Sequence, residues 1–160
     1  MTMDTNTDQY KMSECLNQVF ADIIKLEFLA YSIHWNMTDC PFLSVHEWTE
    51  NIYKLLSNFK DEVAERIRQL DEFPLGALSA VIQWSSVGEI PLPAEKNVAL
   101  PLFAENLIKA KMVANECANI ANNQCDYVSL DLITRLMALY DKIVWQTKSQ
   151  FNMERINELR

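Results

Sequence analysis

The placement of chain breakers constrains this sequence more than any other feature. Its 160 residues include only 2 Gly and 5 Pro, and these fall in two places. Pro41 stands alone in Thr38-Asp39-Cys40-Pro41-Phe42. Pro74, Gly76, Gly88, Pro91, Pro93 and Pro101 all lie between Phe73 and Pro101. The remaining stretches are unbroken, with apolar residues recurring at helical spacing. Hairpin turns usually need Gly, Asn-Gly or Asp-Gly steps, so an all-β fold is not expected. The hydrophobic fraction of 49% suffices for a core and argues against disorder. The length suits one domain, and no apolar run approaches the roughly 18 residues of a membrane span.

The spacing predicts four helices. The first runs roughly from Ser13 to Asn36, with Leu16, Val19, Phe20, Ile23 and Ala30 on one stripe. The second runs roughly from Val45 to Asp71 and opens on a capping box, Ser44-Val45-His46-Glu47. The third starts at Pro101, a favourable first helical residue, and ends near Asn122. The fourth runs from Tyr127 to at least Asn152. Residues 1–12 read as a flexible polar tail, 13–152 as the folded unit and 153–160 as a C-terminal extension. About seven residues join the first two helices and about four the last two, so each pair should be antiparallel. Nearly 30 residues separate helices two and three, far more than a bundle turn needs. The expected fold is therefore all-α: a ferritin-like four-helix bundle with one long crossover. Within that crossover, Ala77–Trp84 is apolar enough for a short extra helix.

The second helix carries chemistry on its polar side. With His46 at zero on a helical wheel of roughly 100° per residue, Trp48, Ile52, Leu55, Phe59, Val63 and Leu70 cluster near about 230°. That stripe is the expected core face. Opposite it, within about 100°, stand His46, Glu50, Asp61 and Glu65, as two i,i+4 pairs. Glu50 and Asp61 lie 11 residues apart, or roughly 16 Å along a helix. Metal–ligand bonds are only about 2 Å long, so the two pairs can share a metal only if they come from two chains. Antiparallel packing of this helix on a symmetry mate, with the dyad near Leu55 and Leu56, would create two identical sites. His34, the only other histidine, closes the first helix near the start of the second. Two imidazoles and three carboxylates suit iron, manganese or zinc. The plain alternative is a solvated charged face and two ordinary histidines.

The net charge of −8 and pI near 4.7 disfavour nucleic acid or anionic membrane as partners and suit cations or simple solubility. The N-terminus lacks the basic and apolar regions of a secretory signal. The 4 cysteines, none spaced CxxC, read as reduced thiols of a cytoplasmic protein.

The run Ile33-His34-Trp35-Asn36-Met37, then Phe42, Val45-His46-Glu47, Asp61 and Ala64-Glu65-Arg66 resembles the signature of the Dps proteins, or mini-ferritins. Gln69-Leu70, Pro74-Leu75-Gly76 and Tyr140-Asp141-Lys142-Ile143-Val144-Trp145 extend the likeness over roughly residues 15 to 150. The resemblance implies a hollow dodecamer built from two-fold dimers, with a di-iron ferroxidase centre between subunits. Carried onto this chain, it implies His34, His46 and Glu50 as ligands from one subunit, with Asp61 and Glu65 from the other. Fe(II) would be oxidised there, by hydrogen peroxide in preference to oxygen, and stored as ferric mineral, limiting oxidative stress. Trp35 would stack near the centre and intercept stray oxidising equivalents, unless it is a core aromatic. Asp126 and Asp131 match an acidic pore region, although acidic residues at a helix start also serve as caps.

Three departures stand out. Glu50 replaces the usual Asp, Asp71 replaces a usual Gly, and Asp39-Cys40-Pro41 replaces a Gly-containing loop. Neither terminus is Lys-rich, so strong direct DNA binding is not expected. The alternatives are a structural helical-bundle oligomer and a DNA-compacting homologue with weak or no ferroxidase activity.

Overall fold

The computed structural model describes residues 5–39 and 41–150, with side chains from Lys11 onward. Its helices are α1 (Thr5–Asn36), α2 (Phe42–Gln69), α3 (Leu78–Trp84), α4 (Lys96–Asn123) and α5 (Tyr127–Ser149). The four long helices form a bundle: α1 packs along α2, α4 along α5, and α1 against α4. The short α3 lies against α1, within the crossover. Among the described residues the only extended pairing is an isolated bridge between Met37 and Ala94.

Several boundaries differ from expectation. The first helix begins at Thr5, and Met12, placed in the tail by sequence, is 1% exposed in the core. Residues 5–12 of the expected tail are thus helical, while residues 1–4 and the extension 153–160 lie outside the described residues. The capping box does not form. Helix α2 starts at Phe42 behind Pro41, which makes no side-chain cap bond, and the Ser44 hydroxyl donates to Pro41 O (3.1 Å). Two more helical residues ahead of Ser44 turn it from a cap into a first-turn residue. Helix α4 starts at Lys96, which puts Pro101 inside it and leaves Asn97 O without its intrahelical N–H partner. Glu95 makes no side-chain cap. Instead Asp39, from the α1–α2 connection, accepts from Lys96 N–H (2.9 Å). A cap distant in sequence thus lets this helix begin upstream of its proline.

The buried stripe of α2 is Val45, Thr49, Ile52, Leu56, Val63 and Ile67, rotated by about 40° from the expected stripe. Leu55, assigned to the core from sequence, is 41% exposed, whereas Leu56 is fully buried. The adjacent leucines differ because α2 touches α1 along most of its length and α5 only lightly, so the face toward α1 is the one sealed. The core centres on Leu16, Ile23, Ile33, Leu56, Ile67, Phe103, Leu107, Ile133 and Tyr140, each almost inaccessible. Such burial contributes roughly 1.5–3 kcal/mol per large apolar side chain.

Buried polar side chains fasten the crossover. Asn17 of α1 donates to Phe73 O (3.1 Å) and accepts from Leu75 N–H (2.9 Å). Asp22 of α1, 1% exposed, accepts from the Ser85 hydroxyl and from both the N–H and hydroxyl of Ser86. Asn106 of α4 accepts from Gly88 N–H (2.7 Å). These contacts satisfy irregular backbone that would otherwise be costly to bury.

Two helices end with left-handed residues that are not glycine. Asp71 (φ 60°) follows α2, and its N–H bonds Arg68 O while Glu72 N–H bonds Ile67 O. Cys125 (φ 56°) follows α4, with bonds to Asn122 O and, from Asp126 N–H, to Ala121 O. Both patterns are Schellman closures. Asp tolerates this conformation better than most side chains, which explains how Asp71 stands where the resembling family usually has Gly.

Candidate metal centre

The end of α1 and the start of α2 bring His34 and His46 together. Their rings stack with centroids 3.5 Å apart and 17° between planes. Each Nδ1 meets the other residue's carbonyl: His34 Nδ1 lies 2.8 Å from His46 O, and His46 Nδ1 lies 2.9 Å from His34 O. A carbonyl only accepts, so each Nδ1 carries the proton. Each Nε2 is then left with its lone pair, the atom a metal needs. His34 is 8% exposed, and His46 is half-buried.

Thr49 supports this lock. It is fully buried one helical turn after Val45, donates to Val45 O (2.7 Å) and His46 O (3.0 Å), and its oxygen sits 3.3 Å from His34 Nδ1. Sequence reading missed it, because a Thr inside an apolar stripe reads as a tolerated core residue. Tyr31 and Tyr53 were missed as well. Tyr53 meets His34 edge-on (5.4 Å), stacks on Tyr31 (3.9 Å), and Tyr31 stacks on Trp35 (5.3 Å). Tyr53 lies seven residues after His46 and Tyr31 three before His34, so helical spacing alone could have found both. Trp35 is 61% exposed and therefore not a core aromatic of this chain. It is the outer end of an aromatic ladder that leads to the histidines. Phe42 covers the other face of His46 at 5.1 Å.

Glu50 follows His46 by one turn and is ion-paired with Lys54. The hydrogen bond from Lys54 and its charge hold the Glu50 carboxyl below the usual carboxylate range, with smaller contributions from His34 and His46. Asp61 and Glu65 are exposed further along α2. Glu65 borders an open cleft between α2 and α5 that also contains Arg66, Asp131 and Arg135. Among the described residues no three His, Cys, Asp or Glu side chains gather into a metal-binding cluster. The five candidate ligands thus form two separate partial sets on one chain, as the roughly 16 Å helical separation requires.

The two acidic pore candidates differ. Asp126 caps α5, accepting from Ser129 N–H (3.1 Å) and the Ser129 hydroxyl (2.6 Å), and pairs with Arg66 at 2.8 Å. Burial pushes its carboxyl up, but the bonds from Ser129 and Arg66 outweigh this and hold it below its ordinary value. It serves as a cap. Asp131 is exposed and pairs with Arg135 one turn on.

A bundle with one long crossover and a paired-histidine site at the α1–α2 junction defines the class. The chain belongs to the ferritin-like domain family, whose sequence pattern matches residues 13–156. Within that class it is a member of the Dps proteins. It is 30% identical over 142 residues to the DNA protection during starvation protein of Helicobacter pylori, covering 87% of this chain and 97% of that one. The crystal structure of Dps from Staphylococcus aureus superposes with a TM-score of 0.87 at 26% identity, over 91% of this chain and 98% of that one. The Dps structure from Vibrio cholerae, described as a ferritin-like diiron-carboxylate protein, has the same fold (TM-score 0.87, 20% identity, 92% of each chain). No described helix is long and apolar enough to cross a membrane.

Proposed function

We propose that this chain is a cytoplasmic mini-ferritin ferroxidase. Its subunits assemble as a hollow homo-oligomer, a dodecamer of two-fold dimers, that oxidises Fe(II) and stores the ferric product. His34, His46 and Glu50 of one subunit face Asp61 and Glu65 of the other and hold two iron ions as substrate. The observation that carries this reading is the reciprocal Nδ1–carbonyl lock, which fixes both imidazoles in the metal-binding tautomer. The chain has the histidine half-site ready, and its remaining acids lie where only a second subunit can supply them.

The chemistry follows from the donors. Carboxylates are hard anions that favour Fe(III) over Fe(II), and imidazole adds a neutral ligand. Two Fe(II) give two electrons to one hydrogen peroxide, which with two protons yields two Fe(III) and two waters. No hydroxyl radical is released. Lys54 keeps Glu50 ionised beforehand and must leave it when iron enters. Tyr53, Tyr31 and Trp35 offer a path that carries stray oxidising equivalents outward. Asp131, in its open cleft, is the better candidate for attracting entering Fe(II), since Asp126 is committed to its cap. Phe28, Trp35, Leu78 and Ile82 are each more than 60% exposed on α1 and α3, and such apolar surface suits burial against neighbouring subunits. The net charge of −8 fits cation uptake and disfavours tight DNA binding.

Anomalous scattering at the iron edge on Fe(II)-soaked crystals tests the site. Iron is expected within about 2.2 Å of His46 Nε2 and of a carboxylate from a neighbouring subunit. Crystals with iron bound only elsewhere would leave a structural helical oligomer as the better reading. Native mass then checks the assembly, which should be twelve chains of 18.5 kDa.

A further inference from the structure

Helices α2 and α5 touch only lightly, and the seam between them opens into a groove of about 380 Å³. Both ends are tied. At one, the Trp48 indole N–H donates to Gln146 Oε1 (3.0 Å). At the other, one turn beyond Asn58 and Leu139, Arg135 lies over the Phe59 ring (5.6 Å) and pairs with Glu62 (2.8 Å). The floor is apolar, with Ile52 and Ile143 buried. Lys54, Lys142, Asn51, Asn58 and Gln146 line the walls, and no Asp or Glu is among the lining residues. In a chain of net charge −8 this is a local reversal of sign. The next cleft along the same seam, by contrast, holds Glu62, Glu65 and Asp131 beside its two arginines. An indole N–H only donates, so Gln146 must turn its oxygen to Trp48, which leaves the Gln146 amide N–H groups free to donate. Among the described residues no carboxylate pairs with Lys142. Lys54 is held by Glu50.

We propose that this groove binds a tetrahedral oxyanion, such as inorganic phosphate, between Lys142 and Lys54. Lys142 and the Gln146 amide supply a standing cation and a standing donor. Lys54 supplies the second cation when it leaves Glu50. Its ammonium thus has two alternative partners: Glu50, four residues before it on α2, and the anion in the groove. One ammonium cannot serve both, so the two states compete. Whatever takes Glu50 from Lys54 strengthens the groove for an anion, and a bound anion frees Glu50 in return. The coupling rests on the iron reading above only for the identity of that competitor, Fe(II). The groove itself is complete within one chain and needs no metal.

The test titrates inorganic phosphate into the full-length assembly, freed of metal by chelation, by isothermal calorimetry in chloride at constant ionic strength. Saturable binding at one site per chain is expected in the wild type, displaced by sulfate and surviving the chloride already present. Lys142→Gln should weaken it by at least about tenfold. Glu50→Gln releases Lys54 without any metal and should tighten binding by roughly two- to fivefold. That gain should vanish when Lys54→Gln is added, whereas a gain from the lost Glu50 charge alone would persist. Lys54 and Lys142 are both exposed, so Gln at either position leaves the packing intact. The site is overturned if the wild type shows no saturable binding, or if Lys142→Gln binds phosphate as tightly. A Glu50→Gln gain that survives loss of Lys54 overturns the coupling. Every arm is read without iron. Failure here therefore leaves the ferroxidase reading standing, and a failed iron soak leaves the groove standing.

Discussion

The shared site predicts a specific arithmetic of rescue between inactive subunits. Along α2, Glu50 and Asp61 are separated by roughly 16 Å, about eight metal–ligand bond lengths. His46→Ala removes a ligand from one half-site, and Asp61→Ala removes one from the other. Each variant alone should lose at least the roughly 10- to 100-fold that follows loss of a ligand's hydrogen-bonding partner. In a two-fold dimer of one His46→Ala and one Asp61→Ala subunit, one site carries both defects and the other carries neither. Random mixing makes about half the dimers mixed, each with one intact site of two, so about one quarter of the wild-type rate should return. Subunits with different tags would be co-expressed and purified, with mixing checked by native mass. Ferric absorbance after Fe(II) and peroxide gives the rate. A mixed assembly no faster than the mean of its two parents would refute the shared centre. Wild-type rates in both single variants would remove these residues from the site altogether.

Three further outcomes follow. Thr49→Val keeps the side chain's shape but removes the hydroxyl beside the histidine lock. Stability should fall by about 1 kcal/mol, and Fe(II) oxidation should slow by about tenfold; loss of stability at an unchanged rate would make Thr49 purely structural. Asp126→Asn should cost about 1–2 kcal/mol at neutral pH, measured by urea denaturation. The folded Asp126 carboxyl is held below its unfolded value of 3.8, so its stabilisation is present above that pH and lost as pH falls through the folded value. The wild-type advantage over Asp126→Asn should therefore shrink in acid below about pH 4, and an advantage constant with pH would contradict the assignment. Asp71→Gly should raise stability by roughly 0.5–1 kcal/mol, because the left-handed closure of α2 suits Gly better than Asp. A lower melting temperature would show that the Asp71 side chain makes a compensating contact.

The helices, their pairing, the crossover and the meeting of His34 with His46 were all legible in the sequence. Helical periodicity, breaker positions and connection lengths are local quantities, and local quantities can be read from a linear chain. The resemblance to the Dps signature supplied the proposed ligand set, between residues 34 and 65. Tertiary structure decided the remainder. It rotated the buried stripe of α2 so that Leu56 rather than Leu55 is sealed, because burial depends on how closely each neighbouring helix approaches. It moved the start of α4 to Lys96 by supplying Asp39 as a cap from a segment 57 residues away in sequence. It showed that Asp126 is held by Ser129 and Arg66 and that the Nδ1 atoms of both histidines are committed to carbonyls. Each of these depends on a partner distant along the chain, which no periodicity or spacing encodes.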